Sequence, residues 1–285
     1  MVFRNVDAWK TAMKRIAKER GLDIQDVQQR YVLEEFAEKI GASKYGNSLV
    51  LKGGFIVSTI LGLDTRMTRD LDITCRSTIY NLDEVRSILK EIIQTKTKSF
   101  FEYKLVNIKE AQEDDKYSGF IVLLQASNNN TNIKLKLDIS NNTLIYPEAI
   151  RTEIDSLFSN EKIRLASYPI ENIIAEKFET TLDRGEFNTR MRDLFDVYLL
   201  MKENGCRINE EQLAQTIIEV SKDRGTLENL EEFEEMIQYL GESDIFCKNF
   251  EKYRKDQYPN QEISLSQVFE QFQLIHKLVE NILLS

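Results

Sequence analysis

The sequence predicts an α+β chain: a sheet with flanking helices, followed by an all-helical C-terminal domain. Three observations predict it. Apolar runs rich in β-formers recur up to about residue 140, helical periodicity takes over after Pro147, and only three prolines interrupt 285 residues. The expected division is 1–165, an α/β domain with a helical N-terminus, and 166–285, a helical domain, joined near 141–165.

The elements follow in order. NVDAWKTAMKRIAKERG opens on a capping residue and ends in glycine, the punctuation of a helix. DIQDVQQRYVLEEFAEKIG spaces Ile24, Val27, Tyr31, Leu33 and Phe36 loosely at helical period. NSLVLKGG is a short strand entering a turn, and FIVSTILGL, apolar nearly all round, reads as a buried helix. DLDITC, FFEYKLVNI, FIVLLQAS and IKLKLDIS read as strands, with the helix NLDEVRSILKEIIQ between the first two. The second half reads as five helices: YPIENIIAEKFETTL, TRMRDLFDVYLLMKENG, NEEQLAQTIIEVSKDRG, LENLEEFEEMIQYLG and LSQVFEQFQLIHKLVENILL. The acidic stretch ENLEEFEEM is the solvated face of a helix.

Composition excludes several classes of function. Hydrophobic residues at 42% and charged residues at 30% describe a folded globular chain. No apolar run approaches the roughly 18–20 residues that span a bilayer. The charged N-terminus lacks the apolar core of a signal peptide, so no membrane partner is expected. Cys75, Cys206 and Cys247 form no C-x-x-C, which points to reduced thiols and a cytoplasmic setting. The single histidine, His276, lies on an amphipathic helix and reads as a surface or packing residue. A net charge of −9 gives no overall field for nucleic acid. A local patch stays open, from Lys10, Lys14, Arg15 and Lys18 or from Arg190 and Arg192.

The chemistry concentrates in LVLKGGFIVSTILGLDTRMTRDLDITC, Leu49 to Cys75. In a strand Asp70 and Asp72 share one face, their Cα atoms about 6.6 Å apart. Two ionised carboxylates so placed repel unless a cation lies between them or one takes a proton. Alone, D-x-D reads as a solvent-facing strand edge with two ordinary aspartates. In IKLKLDIS, Leu135, Leu137 and Ile139 alternate with Lys134, Lys136, Asp138 and Ser140. If the two strands are neighbours with matching faces, Asp138 completes an all-oxygen site suited to Mg²⁺. Gly53 and Gly54 let the backbone approach a ligand closely, and the helix start behind them favours phosphate. Arg66 and Thr68 are placed to pair with phosphate oxygens, or are a surface arginine and a strand-initiating threonine.

In the helical half, Lys177 falls on the apolar stripe of Ile170, Ile173, Ile174 and Phe178. It either snorkels along a helix seam or engages an anion such as triphosphate. Asp193 faces a cleft or core. Arg192 and Asp196, spaced i,i+4, suit an ordinary surface ion pair.

These residues resemble a known family. KGGF followed by RMTRDLDIT is similar to the signature of the DNA polymerase beta-like nucleotidyltransferases. The R-x-T-x-D-x-D segment, the lysine helix and the R-x-R-D-x-x-D helix resemble the AbiEii/AbiGii-type toxins of type IV toxin–antitoxin and phage abortive-infection systems. The likeness covers about residues 45–200. It implies a nucleotidyltransferase-like mixed sheet, an NTP substrate and Mg²⁺. It implies Asp70, Asp72 and Asp138 as metal ligands, with Lys177 and Asp193 catalytic. Gly53, Gly54, Ser58, Arg66, Thr68 and Asp196 would hold nucleotide. Ser58 stands where the family often has arginine, and Thr180 where it has a small residue. The implied reaction moves NMP onto a hydroxyl, the tRNA 3′ end in this family, blocking translation and growth as antiviral defence. A cognate antitoxin encoded nearby is the implied partner. A protein or small-molecule acceptor, or a non-catalytic NTP-binding module, are the alternatives.

Overall fold

The structure, a computed structural model, describes residues 3–76, 81–111 and 119–284. Its contacts divide the chain into two units, Met1–Thr143 with Glu148–Tyr168, and Leu144–Pro147 with Pro169–Ser285.

The first unit runs α1 (Val6–Arg20), α2 (Ile24–Ala42), β1 (Leu49–Lys52), α3 (Gly53–Leu61), β2 (Asp70–Cys75), α4 (Leu82–Gln94), β3 (Glu102–Glu110), β4 (Gly119–Asn128), β5 (Thr131–Asn141), β6 (Ile150–Asp155) and β7 (Lys162–Ser167). The seven strands form one mixed sheet in the order β3-β4-β5-β2-β1-β7-β6. β2 pairs parallel with β5 and β1 parallel with β7; the other neighbours are antiparallel. The expected mixed sheet with flanking helices is therefore present.

Two of its strands, β6 and β7, lie where the sequence suggested only a junction. β6 is an edge strand, and its outward charges mask the strand signal. Glu153 on β6 pairs with Arg164 on β7 at 2.7 Å. In β7, Ile163 and Leu165 are buried between exposed Lys162 and Arg164, the period-2 alternation of a half-buried strand.

One face of the sheet is apolar. Leu71, Ile73, Val122, Leu124, Leu135 and Leu137 are buried on it. α2 covers this face: Tyr103 of β3 donates to the Val32 carbonyl at 3.1 Å, and its ring lies 5.2 Å from that of Phe36. α1 packs outside α2, with Trp9 edge-on to Tyr31 and Phe101. The sequence marks α2 as loosely amphipathic, yet it is buried on nearly all sides, including Arg30, Glu34 and Glu35. These charges are tolerated because each is answered. Arg30 Nε lies 2.8 Å from Glu34 Oε1, and Glu34 also accepts from Ser156 and the Leu157 N–H. Glu35 accepts from the Phe101 N–H and the Tyr31 and Tyr103 hydroxyls. Burial pushes its carboxyl above the usual range, and the N–H donors partly offset that.

The second unit is helical: α5 (Ile170–Arg184), α6 (Met191–Asn204), α7 (Glu210–Arg224), α8 (Glu228–Glu231), α9 (Phe233–Glu242), α10 (Asp244–Gln257) and α11 (Leu265–Leu283). The single helix expected over LENLEEFEEMIQYLG is split into α8 and α9, although its glutamates face solvent as expected. α10 went unread in the sequence; Ser243 caps it by accepting from the Phe246 N–H. His276 is a packing residue, stacked 4.1 Å from Phe233 and 2.7 Å from the Leu230 carbonyl. Among the described residues no helix is long and apolar enough to cross a membrane.

The buried pair under the sheet makes a prediction. Arg30→Met leaves Glu34 ionised and buried without its cation, at a cost of about 3 kcal/mol in urea unfolding. Arg30→Met/Glu34→Gln should recover part of that loss. A single variant as stable as the native chain would contradict the pairing.

Candidate active site

The carboxylates of the first unit meet because of strand register. Asp72 on β2 is the direct partner of Asp138 on β5, and Asp70 is the partner of Lys136. Parallel pairing puts the side chains of partnered residues on one face, here the face opposite the apolar one. One oxygen from each of Asp70, Asp72 and Asp138 can be chosen so that all three lie within 4.8 Å of one another. The sequence expectation that Asp138 joins the D-x-D pair is thereby met in the geometry.

The turn before α3 closes on this cluster. Gly53 has φ +62°, and a Cβ there would stand 2.1 Å from Asp72 Oδ2. The Gly54 N–H donates to the same oxygen at 3.2 Å. A Cβ on Gly54 would lie 2.8 Å from Thr68 Oγ1 and 3.2 Å from Arg66 Nη2. Glycine is thus demanded twice, by backbone conformation and by the approach of Asp72, Thr68 and Arg66. Thr68 donates to Asp70 Oδ1 at 2.8 Å, so its hydroxyl orients a carboxylate. Arg66 is buried beside the turn, its guanidinium donating to the Met67 carbonyl.

Two lysines that the sequence reading did not select complete the site. Lys136 Nζ lies 2.6 Å from Asp138 Oδ2. Burial would lower its ammonium, but Asp138 and then Asp70 and Asp72 push it up. Lys52 is the β1 partner of Asp72 and stands 5.6 Å over the Tyr168 ring. The alternation of β5 placed Lys136 beside Asp138 in the sequence itself; Lys52 needed the β1–β2 register.

The cluster is electrostatically loaded. Burial, and next the charge of Asp70, push the Asp72 carboxyl up to about 6; the Gly54 N–H and Lys52 pull the other way. Asp138 Oδ1 is buried with no hydrogen-bond partner among the described residues. Three carboxylates, one with an unanswered buried oxygen, are a donor set for a hard divalent cation. The residues present fit such an ion.

The other candidates meet in the second unit. Lys177 on α5 contacts Asp193 and stands 2.9 Å from Asp196 Oδ2, both on α6. Burial would lower the lysine; Asp196 and then Asp193 outweigh it and push it up. Asp196 is fully buried, so it is no surface partner of Arg192, which is exposed. The i,i+4 spacing suggested the surface pair; the helix is packed on that side, and the facing Lys177 helps make the burial tolerable. Ser58 is committed to α2: its hydroxyl accepts from Arg30 Nη1 at 2.7 Å and donates to the Phe55 carbonyl at 2.8 Å.

Two predictions follow from this geometry. The Asp72 carboxyl has a higher pKa folded than its ordinary 3.8, so its ionised form destabilises the metal-free fold. That cost is absent below about pH 4 and complete above about pH 7. Asp72→Asn should therefore stabilise chelator-treated protein by about 1–3 kcal/mol at pH 8, with the gain vanishing near pH 4. Thermal unfolding across that range checks it. Ser58→Ala should cost about 1 kcal/mol of stability and leave NTP affinity unchanged in titration calorimetry.

Comparison with known proteins assigns the chain to a family. The family described as "Nucleotidyl transferase AbiEii toxin, Type IV TA system" matches residues 36–271. No curated protein matches the chain. Among solved structures it is similar to JHP933 from Helicobacter pylori, at 21% identity and a TM-score of 0.48, covering 91% of this chain and 95% of that one. It is also similar to an antigenic nucleotidyltransferase-like protein from Paracoccidioides brasiliensis, at 17% identity and a TM-score of 0.42, covering 70% of this chain and 90% of that one. At these scores neither likeness bears on the site. The family match spans most of the chain and includes the D-x-D strand, the third carboxylate, the lysine helix and the helix of Asp193 and Asp196: the chain belongs to the AbiEii nucleotidyltransferase toxins of type IV toxin–antitoxin systems.

Proposed function

We propose that the chain transfers NMP from an NTP to the 3′-hydroxyl of tRNA, blocks translation and growth by doing so, and serves phage abortive infection under a cognate antitoxin. The observation that carries the chemistry is the Asp70–Asp72–Asp138 cluster set against the Gly53–Gly54 turn.

Asp70, Asp72 and Asp138 would hold Mg²⁺. When bound, such an ion neutralises phosphate charge and makes an adjacent hydroxyl easier to deprotonate. The chain's own residues do the rest. The side-chain-free Gly53–Gly54 turn leaves room for a triphosphate at the α3 N-terminus, whose dipole favours negative charge. Arg66, buried beside that turn, supplies the nearest guanidinium. The acceptor oxygen forms a bond to the α-phosphorus while the bond to pyrophosphate breaks, and Asp138 receives the hydroxyl proton. Thr68 and the Gly54 N–H hold Asp70 and Asp72 in place throughout. In the second unit, we assign Lys177 and Asp193 catalytic roles and Asp196 a part in nucleotide binding, as the family resemblance implies.

Incubation with each α-³²P-labelled NTP, Mg²⁺ and total tRNA tests the reading, beside Asp70→Ala/Asp72→Ala. The native chain should label tRNA with one preferred NTP, and the variant should fall at least about 100-fold. Label on protein instead would move the acceptor; no label with any NTP would overturn the transferase reading for this chain.

A further inference from the structure

The register that assembles the carboxylates on β2 and β5 also extends their face across two more strands, β4 and β3. Asp72, Asp138, Ile121 and Lys109 stand in one row across β2, β5, β4 and β3. Asp70, Lys136, Leu123 and Asn107 make the next row, and Lys134, Gln125 and Lys104 the one beyond. Lys104, Lys109, Lys134 and Lys136 are all exposed, around half-buried Ile121 and Leu123. Among the described residues Lys104, Lys109 and Lys134 have no ion-pair partner, and Lys136 is held by Asp138. Besides Asp138, Glu102 is the one carboxylate among the described residues on this face of β3, β4 and β5, at the far end of β3. A chain of net charge −9 thus keeps one sheet face basic and partly apolar, continuous with its carboxylate cluster.

We propose that this open face of β3–β4–β5 is the docking platform for single-stranded RNA, which it feeds 3′-end first to Asp138. The inference rests on the RNA-acceptor reading above and adds where the acceptor lies. In-line displacement requires the entering hydroxyl and the leaving pyrophosphate on opposite sides of the phosphorus. The Gly53–Gly54 turn and Arg66 flank the carboxylates from the β1 side, so the acceptor arrives from the β4 side, where the lysines are. The platform is about 10 Å wide across β3 to β5 and about 13 Å long from Asp138 to Lys134. That accommodates a few nucleotides, with phosphates over the lysines and bases against Ile121 and Leu123. The rival patch on α1 is disfavoured on two counts. Arg15 is paired with Glu19, and α1 packs outside α2 on the covered side of the sheet.

The test measures anisotropy of a labelled single-stranded RNA with a free 3′-hydroxyl, together with steady-state transfer. Lys104→Gln/Lys109→Gln/Lys134→Gln should weaken RNA binding at least 10-fold and lower the slope of log affinity against log salt by about 2. It should raise the acceptor KM while leaving the NTP KM unchanged. Lys10→Gln/Lys14→Gln/Lys18→Gln, an equal charge change on α1, should leave both KM values and the RNA affinity as they are. If the native chain labels RNA and the β-sheet variant keeps its affinity, salt slope and acceptor KM, the platform is overturned and the RNA reading stands. An equal loss from the α1 variant also overturns the platform, since bulk charge then suffices. Polyglutamate competing as well as RNA would overturn the RNA assignment. If the native chain neither binds nor labels RNA, the acceptor reading fails and the platform with it.

Discussion

Like-charge repulsion in the β2–β5 ladder is the constraint on which the site depends. Parallel pairing sets Asp72 directly across from Asp138, with Asp70 one pleat away on the same face. A protein without a role for that arrangement would separate the charges. Here the surroundings are built to tolerate them. Thr68 and the Gly54 N–H each donate to a carboxylate oxygen, and Lys136 neutralises Asp138. The remaining imbalance appears as the raised Asp72 carboxyl and the unanswered Asp138 oxygen. A cation held there would relieve both, which links the electrostatics of the strand pair to the chemistry of the family.

Holding three carboxylates in register needs a rigid support behind them, and α2 provides it. Its central charged residues do not face water. Arg30, Glu34 and Glu35 are buried and tie the helix to α3, to the loop after β6 and to the start of β3. Each bond is specific in distance and direction, unlike a purely apolar contact, so the helix cannot slide without losing several at once. One face of the sheet is therefore fixed, and the other carries the carboxylates. Ser58 belongs to the fixed side of this division, because Arg30 occupies its hydroxyl.

Much of the fold was legible because it rests on local periodicity. The two-residue alternation in IKLKLDIS separated Leu135, Leu137 and Ile139 from Lys136 and Asp138, and the structure keeps that separation. β6 was missed because charges on an edge strand hide its apolar half; β7, the strand inside it, is short and carries Lys162 and Arg164 between its apolar residues. α10 was missed because DIFCKNFEKYRKDQ buries only Phe246 and Phe250, too few apolar positions to mark a helix face. The surface pair of Arg192 and Asp196 was misjudged for a related reason: i,i+4 spacing says which residues are neighbours on a helix, not which side is packed.

By itself the sequence determined which residue types were available and which shared a strand or helix face, since backbone geometry alone dictates those periods. It placed Asp70 beside Asp72, Gly53 beside Gly54, and Lys177 on an apolar stripe. Only the tertiary structure decided that β5 lies next to β2 in a register that aligns Asp138 with Asp72. It alone decided that Lys52 and Lys136 flank the carboxylates, and that Lys177 is answered by a fully buried Asp196. These are contacts between residues far apart in the chain. Their energies come from desolvation and strand pairing, which no local pattern encodes.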